Sequence, residues 1–289
     1  MTTLKTLRTR KTSVQSTQKI TMAMKMVAAA KLRRAHEELE AGRPYALLMY
    51  QILHRLAQRT TALDSPQPLL TGTGRTNIHL ILLATSDRGL CGAFNSSLIK
   101  YARQLIREAQ NRGETVKIFC IGRKAKTAME KDYKDLIIET VVGLGYPRLS
   151  FKDAKPIAQT LVRLFEEGVF DLCTLIYNRF HSALKQEVQA HQIIPFKIES
   201  SAGPQMVCEY EPNEGELLSR LLHQNVVVQV YNALSENAAS EEGARMAAME
   251  NASRNAEDMI GDLTLTYNRT RQACITRELI EIISGAEAL

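Results

Sequence analysis

The chain has no uninterrupted run of about 18 apolar residues, the length a membrane-spanning helix needs, so no spanning segment is expected. The longest apolar stretch, "IHLILLAT" at 78–85, is short, carries His79 and reads as a buried strand. Its five cysteines (Cys91, Cys120, Cys173, Cys208 and Cys274) are odd in number, and CxxC does not occur. That pattern predicts buried free thiols in a reducing compartment rather than a disulfide framework. No acidic residue precedes Glu37, whereas residues 1–34 hold nine Lys or Arg. No Phe, Trp or Tyr precedes Tyr45, and no proline follows Pro212.

The usual signatures of chemistry are missing as well. There is no GxxxxGK[ST], GxSxG or HExxH, and the six histidines are scattered without metal-ligand spacing. Neither a metal, a cofactor nor a catalytic residue is expected. "TGTGRTN" precedes the first strand, the wrong side for a phosphate cradle. "SDRGLCGAFN" lies between a strand and a helix, where dinucleotide folds bind pyrophosphate. It lacks the full GxGxxG, and no acidic residue ends the following strand "TVKIFCIG". A tight turn with glycines for close packing is the simpler reading, and a dinucleotide-dependent enzyme is the alternative. Cys91 in that turn is either a packed residue or a thiol activated by the helix start.

What the sequence does contain is helix at both ends and alternation between them. From Leu4 to about Gln58 helix formers dominate, with a narrow apolar stripe through Leu4, Leu7, Val14, Ile20, Met24, Val27 and Leu39. Fifty such residues make about 75 Å of helix. Gly42-Arg43-Pro44 is expected to loosen or bend it. "DSPQPLLTGTGRTN" reads as a loop and boundary. Strand and helix patterns then alternate through "FNSSLIKYARQLIREAQNRG", "TVKIFCIG", "RKAKTAMEK", "DAKPIAQTLVRLFEEG", "FDLCTLIYNRF" and "LKQEVQAHQIIPF". Such alternation predicts a small α/β domain with a mostly parallel sheet over 75–200. From 213 to 289 the chain is again helical. A 3.5-residue repeat runs through Met246, Met249, Ser253, Ala256, Ile260, Leu263, Tyr267, Thr270 and Cys274.

These elements predict an α/β fold class: a long antiparallel coiled coil of the terminal helices (1–60 and 213–289) with a central Rossmann-like domain. "ITMAMKMVAAAKLRR" at 20–34 is expected to turn apolar and small residues to its partner helix and basic ones outward. The net charge of +6 favours acidic partners. A basic coiled-coil protein that binds nucleic acid is a second alternative, although the basic segment lacks aromatics and no zipper continues from it.

"SVQSTQKITMAMKMVAAAKLRRA", "SDRGLCGAFN" and "ARMAAMENASRNAEDMIGDLTLTYNRTRQACITRELIEIISGAEAL" together resemble the gamma subunit of F-type, proton-translocating ATP synthases. The resemblance covers the chain in order. It implies a central-stalk rotor that carries no catalytic residue itself and binds no nucleic acid. Its implied partners are the hexamer of alpha and beta subunits, the epsilon subunit and the c-subunit ring, through which membrane association is indirect. The implied location is the cytoplasmic face of the bacterial inner membrane. The start at Met1, close to the family motif, is expected of a bacterial chain rather than a mitochondrial precursor.

The resemblance also implies site residues. Met24, Lys25, Lys31, Arg33, Arg34, Arg271, Gln272, Thr276 and Glu278 match positions that face the beta subunits. Tyr210 and Glu211, in "EYEPN", match a loop touching the c ring and epsilon subunit. Three departures stand out: Met22 replaces a frequent Lys, Ala93 a frequent Gly, and Glu242-Gly243 a common His-Ala. Gly243 inside a helix costs about 1 kcal/mol against Ala, which predicts local softness. The disulfide-bearing insertion of chloroplast relatives is absent.

Overall fold

The computed structural model describes residues 3–60, 67–145, 148–197 and 214–287. Two helices dominate it, α1 (Leu4–Thr60) and α6 (Glu214–Glu287). Each contributes to both of two compact units. One unit comprises Ala30–Ala244, and the other the N-terminal stretch through Ala29 with α6 from Arg245 onward.

The larger unit is built on a five-stranded sheet. Its strands are β1 (Ile78–Ala84), β2 (Thr115–Ile121), β3 (Ile137–Val141), β4 (Leu172–Phe180) and β5 (Gln186–Ile194), in the order β3-β2-β1-β4-β5. The first four run parallel and β5 is antiparallel to β4, the mostly parallel arrangement that the alternating pattern predicts. Apart from His79, β1 is apolar because both of its faces are covered. Leu80 and Leu82 join Phe119 and Leu175 on one face, against α5 (Phe151–Glu166), Met49, Leu53 and Leu56 of α1, and Leu218, Leu222 and Val226 of α6. Ile81 and Leu83 join Ile118 and Ile176 on the other. They pack under α3 (Phe94–Asn111) and α4 (Arg123–Met129). His79, on buried β1, is a satisfied core residue: Nε2 lies 2.8 Å from Thr174 Oγ1 and Nδ1 3.2 Å from Glu114.

Two details differ from the sequence reading. The stretch taken as a loop contains a helical turn, α2 (Pro68–Thr71), with Leu69 buried. Edge strand β3 carries only partly buried or exposed residues, so no apolar run announced it. In agreement with the sequence reading, α1 runs as one helix through Gly42 and Pro44, held on the core by Met49, Leu53 and Leu56 and bridged locally by Arg43 to Glu40 at 2.6 Å.

Gly243 also has a different reason from softness. A Cβ there would lie 3.3 Å from Ala183 Cα, beside the β4–β5 turn. Asn237 and Ser240, six and three residues earlier on α6, bond the Asn178 backbone at 3.0 and 3.1 Å. Small and polar residues at three-residue spacing thus let β4 and its hairpin approach α6 closely. Gly122, at φ +94°, is tighter still: a Cβ would sit 2.4 Å from the Thr85 carbonyl oxygen.

In the smaller unit α1 and α6 pair antiparallel, since Thr21 meets Ser253 and Lys25 meets Glu250. On α6 the predicted repeat is the contact seam: Met249, Ala256 and Leu263 are buried, and the other members are half-buried. On α1 the seam runs Leu4, Leu7, Lys11, Val14, Gln18, Thr21, Lys25, Ala28, a strict 3.5-residue period that includes polar members. Ile20 and Val27, read above as part of the apolar stripe, lie beside it and are more than half exposed. The orientation expected for 20–34 is therefore corrected. Met22 and Met26 also face outward, while Lys25 turns into the seam.

Gly122→Ala should cost about 3 kcal/mol or more, through both positive φ and the clash, and urea titration reads it. Gly261 is open, with nothing within 4 Å of an added Cβ. Gly261→Ala should therefore raise the melting temperature through helix propensity worth about 1 kcal/mol. Gly243→Ala should show no such gain, because Ala183 must give way.

Candidate functional site

The exposed surface of the coil is the feature that asks for a partner. Ile20 and Val27 project from one flank of α1 and Met22 and Met26 from the other, so large apolar groups stand exposed on both sides of the seam. On α6, Cys274 is the last residue that is not exposed among those whose burial is described. Beyond it Ile275, Leu279, Ile280, Ile282 and Ile283 are all exposed. In the antiparallel register this stretch runs past the start of α1, so no second helix covers it. Apolar surface of this extent on a two-helix rod marks an interaction face.

The candidate residues divide between these surfaces. Met24 is half-buried beside the seam, and Arg271, Gln272, Thr276 and Glu278 are exposed near the bare end of α6. Lys25 is engaged inside the coil: it forms an ion pair with Glu250, to which Arg254 also bonds at 3.1 Å. In the larger unit, Lys31 lies 3.7 Å from Glu242, Arg33 bonds Glu37 at 3.0 Å along its own helix, and Arg34 is exposed. Tyr210 and Glu211 lie outside the described residues. Sequence reasoning missed Thr21–Ser253, 2.7 Å apart, for which the only signal was the position of both residues in the 3.5-residue register.

The strand-to-helix turn "SDRGLCGAFN" is filled by its own side chains. The Asp87 carboxylate accepts from the Arg123 amide at 2.8 Å, at the start of α4, and from the Gly143 amide at 2.7 Å. Asn95 accepts from the Ser86 amide at 3.0 Å and donates to Ser86 Oγ at 2.8 Å and Cys91 Sγ at 3.1 Å. Asp87 and Asn95 are thus turned inward, onto the turn's own Ser86 and onto the neighbouring Arg123 and Gly143 amides, which favours the tight turn. Cys91 is packed and buried. Burial pushes the Cys120 thiol up to about 12 and raises that of Cys173 too, so neither is a thiolate at neutral pH.

A family model described as ATP synthase matches residues 3–289. The chain belongs to the ATP synthase gamma chain family. It is 50% identical over 299 residues to the ATP synthase gamma chain of Rhodospirillum rubrum, and 52% identical over 292 residues to that of Methylobacterium sp. (strain 4-46); both comparisons span the whole of each chain. The central stalk and c-ring structure of the Tetrahymena thermophila mitochondrial ATP synthase contains a chain that is 30% identical. That match covers 81% of this chain and 99% of that one, with a TM-score of 0.64. The rotor of the Euglena gracilis enzyme shares the fold at 22% identity and a TM-score of 0.63, over 94% and 98% of the two chains. This gamma chain is thus of the bacterial F-type and serves as a central-stalk subunit of the ATP synthase, a membrane-associated complex. Among its own described residues no helix is long and apolar enough to cross a membrane.

Hydrogen bonding from Lys25, and further from Arg254, holds the Glu250 carboxyl below its ordinary value of 4.5. A depressed carboxylate stabilises the coil fully above the unfolded value, and that contribution is lost as pH falls through the folded one. Glu250→Gln should therefore lower the melting temperature near neutrality and flatten its fall below about pH 4.5. Thermal unfolding followed across pH checks both effects.

Proposed function

We propose that this chain is the non-catalytic shaft of the rotor, transmitting torque between a membrane-embedded c ring and a hexamer of alpha and beta subunits. In this reading the helices of 1–60 and 213–289 form the shaft, and the α/β region of 75–200 forms a foot beside the epsilon subunit and the ring. The complex works at the cytoplasmic face of the bacterial inner membrane, and association with the membrane is indirect. The observation that carries the reading is the outward apolar surface of the coil, from Ile20 to Val27 and from Ile275 to Ile283. It calls for a surrounding sleeve, and its exposed groups are mostly apolar, with Thr276, Arg277, Glu278 and Glu281 interspersed toward the end of α6. Such a contact resists water without locking one rotational position. Coupling requires only that different shaft faces stabilise different beta conformations.

Met24, Arg271, Gln272, Thr276 and Glu278 are the residues we place against the beta subunits, with Lys31, Arg33 and Arg34 as electrostatic contacts lower on α1. Lys25 contributes through Glu250, by fixing the helix pair. Tyr210 and Glu211 are assigned to the ring and epsilon contact on their motif alone.

The test is ATP hydrolysis by alpha and beta subunits assembled with and without this chain. One copy should enter per three beta subunits and make turnover cooperative. Met24→Lys, which adds a cation at the proposed beta contact, should leave assembly intact and impede coupled ATP synthesis. Failure to assemble, or unchanged turnover with the chain present, would contradict the reading.

A further inference from the structure

A second concentration of charge lies away from the coil. Residues 94–134 hold ten Lys or Arg and four Asp or Glu, a formal +6 that equals the net charge of the entire chain. This stretch makes α3, β2 and α4. Between the outer surfaces of α3 and α4 runs an open groove of about 620 Å³.

Lys100, Arg103 and Arg107 line it from one face of α3, and Lys131 from just beyond α4. At 1.5 Å per residue the three α3 cations are strung along about 10 Å. Ile99 and Ala128, both half-buried, supply an apolar lining. Arg103 is committed to Asp132 at 2.6 Å. Lys100, Arg107 and Lys131 are exposed and have no ion pair among the described residues. Three uncompensated cations around an apolar strip oppose one another until an anion arrives.

We propose that this groove docks an acidic amphipathic polypeptide segment of a partner protein. Its carboxylates would meet Lys100, Arg107 and Lys131, and an apolar side chain would cover Ile99 and Ala128. The geometry favours a peptide over other anions. A compact polyphosphate needs donors converging on one point, and these are spread along a trough. A membrane surface is flat, and here the cations stand on the walls of a concavity. Glu108, which lines the groove and is bonded by Gln104 at 2.9 Å, and Asp132, which pairs with the lining Arg103, interrupt the positive charge. They would repel a continuous phosphate backbone, whereas a peptide with spaced carboxylates avoids them. The proposal is independent of the rotor reading, and either can fail without the other.

The test uses the full chain and a dye-labelled peptide of repeated Glu-Glu-Leu, followed by fluorescence anisotropy. Binding should weaken with added salt, and should fall about tenfold or more in the combined variant Lys100→Glu, Arg107→Glu, Lys131→Glu. A control with the same change of charge, Lys5→Glu, Arg8→Glu, Arg10→Glu, should retain the wild-type affinity. Circular dichroism verifies that both variants fold, as expected for exposed positions. Equal losses in the two variants would overturn the proposal, leaving general charge attraction. So would groove-dependent binding of tripolyphosphate or anionic-lipid vesicles in place of the peptide.

Discussion

Thr21 meets Ser253 across the coil, and one helical turn further along α1 Lys25 meets Glu250. The rest of the coil's behaviour depends on this polar layer. A seam of only small and apolar residues allows two helices to slide or rotate against each other. Polar groups at seam positions restrict the pairing to the one register in which they are satisfied. Once Thr21 and Lys25 occupy the seam, the 3.5-residue period forces Ile20, Met22, Met26 and Val27 to the outside. The apolar outer surface and the polar inner layer are two consequences of one phase of the helix.

That inversion leaves large apolar groups on the outside of a coil whose own seam is narrow. The coil spends its apolar residues outward, where a sleeve can cover them, and holds itself together with a narrow seam and an ion pair. The larger unit follows the opposite rule. Its sheet is covered on both faces, its strand-to-helix turn is satisfied internally by Asp87 and Asn95, and Gly243 admits the β4–β5 turn against α6. The smaller unit thus leaves large apolar groups exposed along its helices, whereas the sheet of the larger unit is covered on both faces.

Much of this was legible in the sequence. Strands with continuous apolar runs, such as β1, and helices with clear periodicity, such as α3, stood out because burial dictates their composition. The α6 seam was visible for the same reason, down to Ser253 and Cys274. β3 was not, because an edge strand with partial burial needs no apolar run. The α1 stripe was misread because hydrophobicity was followed instead of phase: Ile20 and Val27 are apolar for a surface that the isolated chain does not contain. The motif resemblance supplied the candidate contact residues, but spacing alone could not reveal that Lys25 would be held by Glu250.

Methionine oxidation footprinting tests the outward phase of α1 most directly, because sulfoxide formation follows exposure of the thioether. In the free chain Met22 and Met26 should oxidise rapidly, while Met249, buried in the seam, should resist. Assembly with alpha and beta subunits should then protect Met22 and Met26. Slow oxidation of both in the free chain, or unchanged rapid oxidation after assembly, would contradict an apolar face held outward for a sleeve.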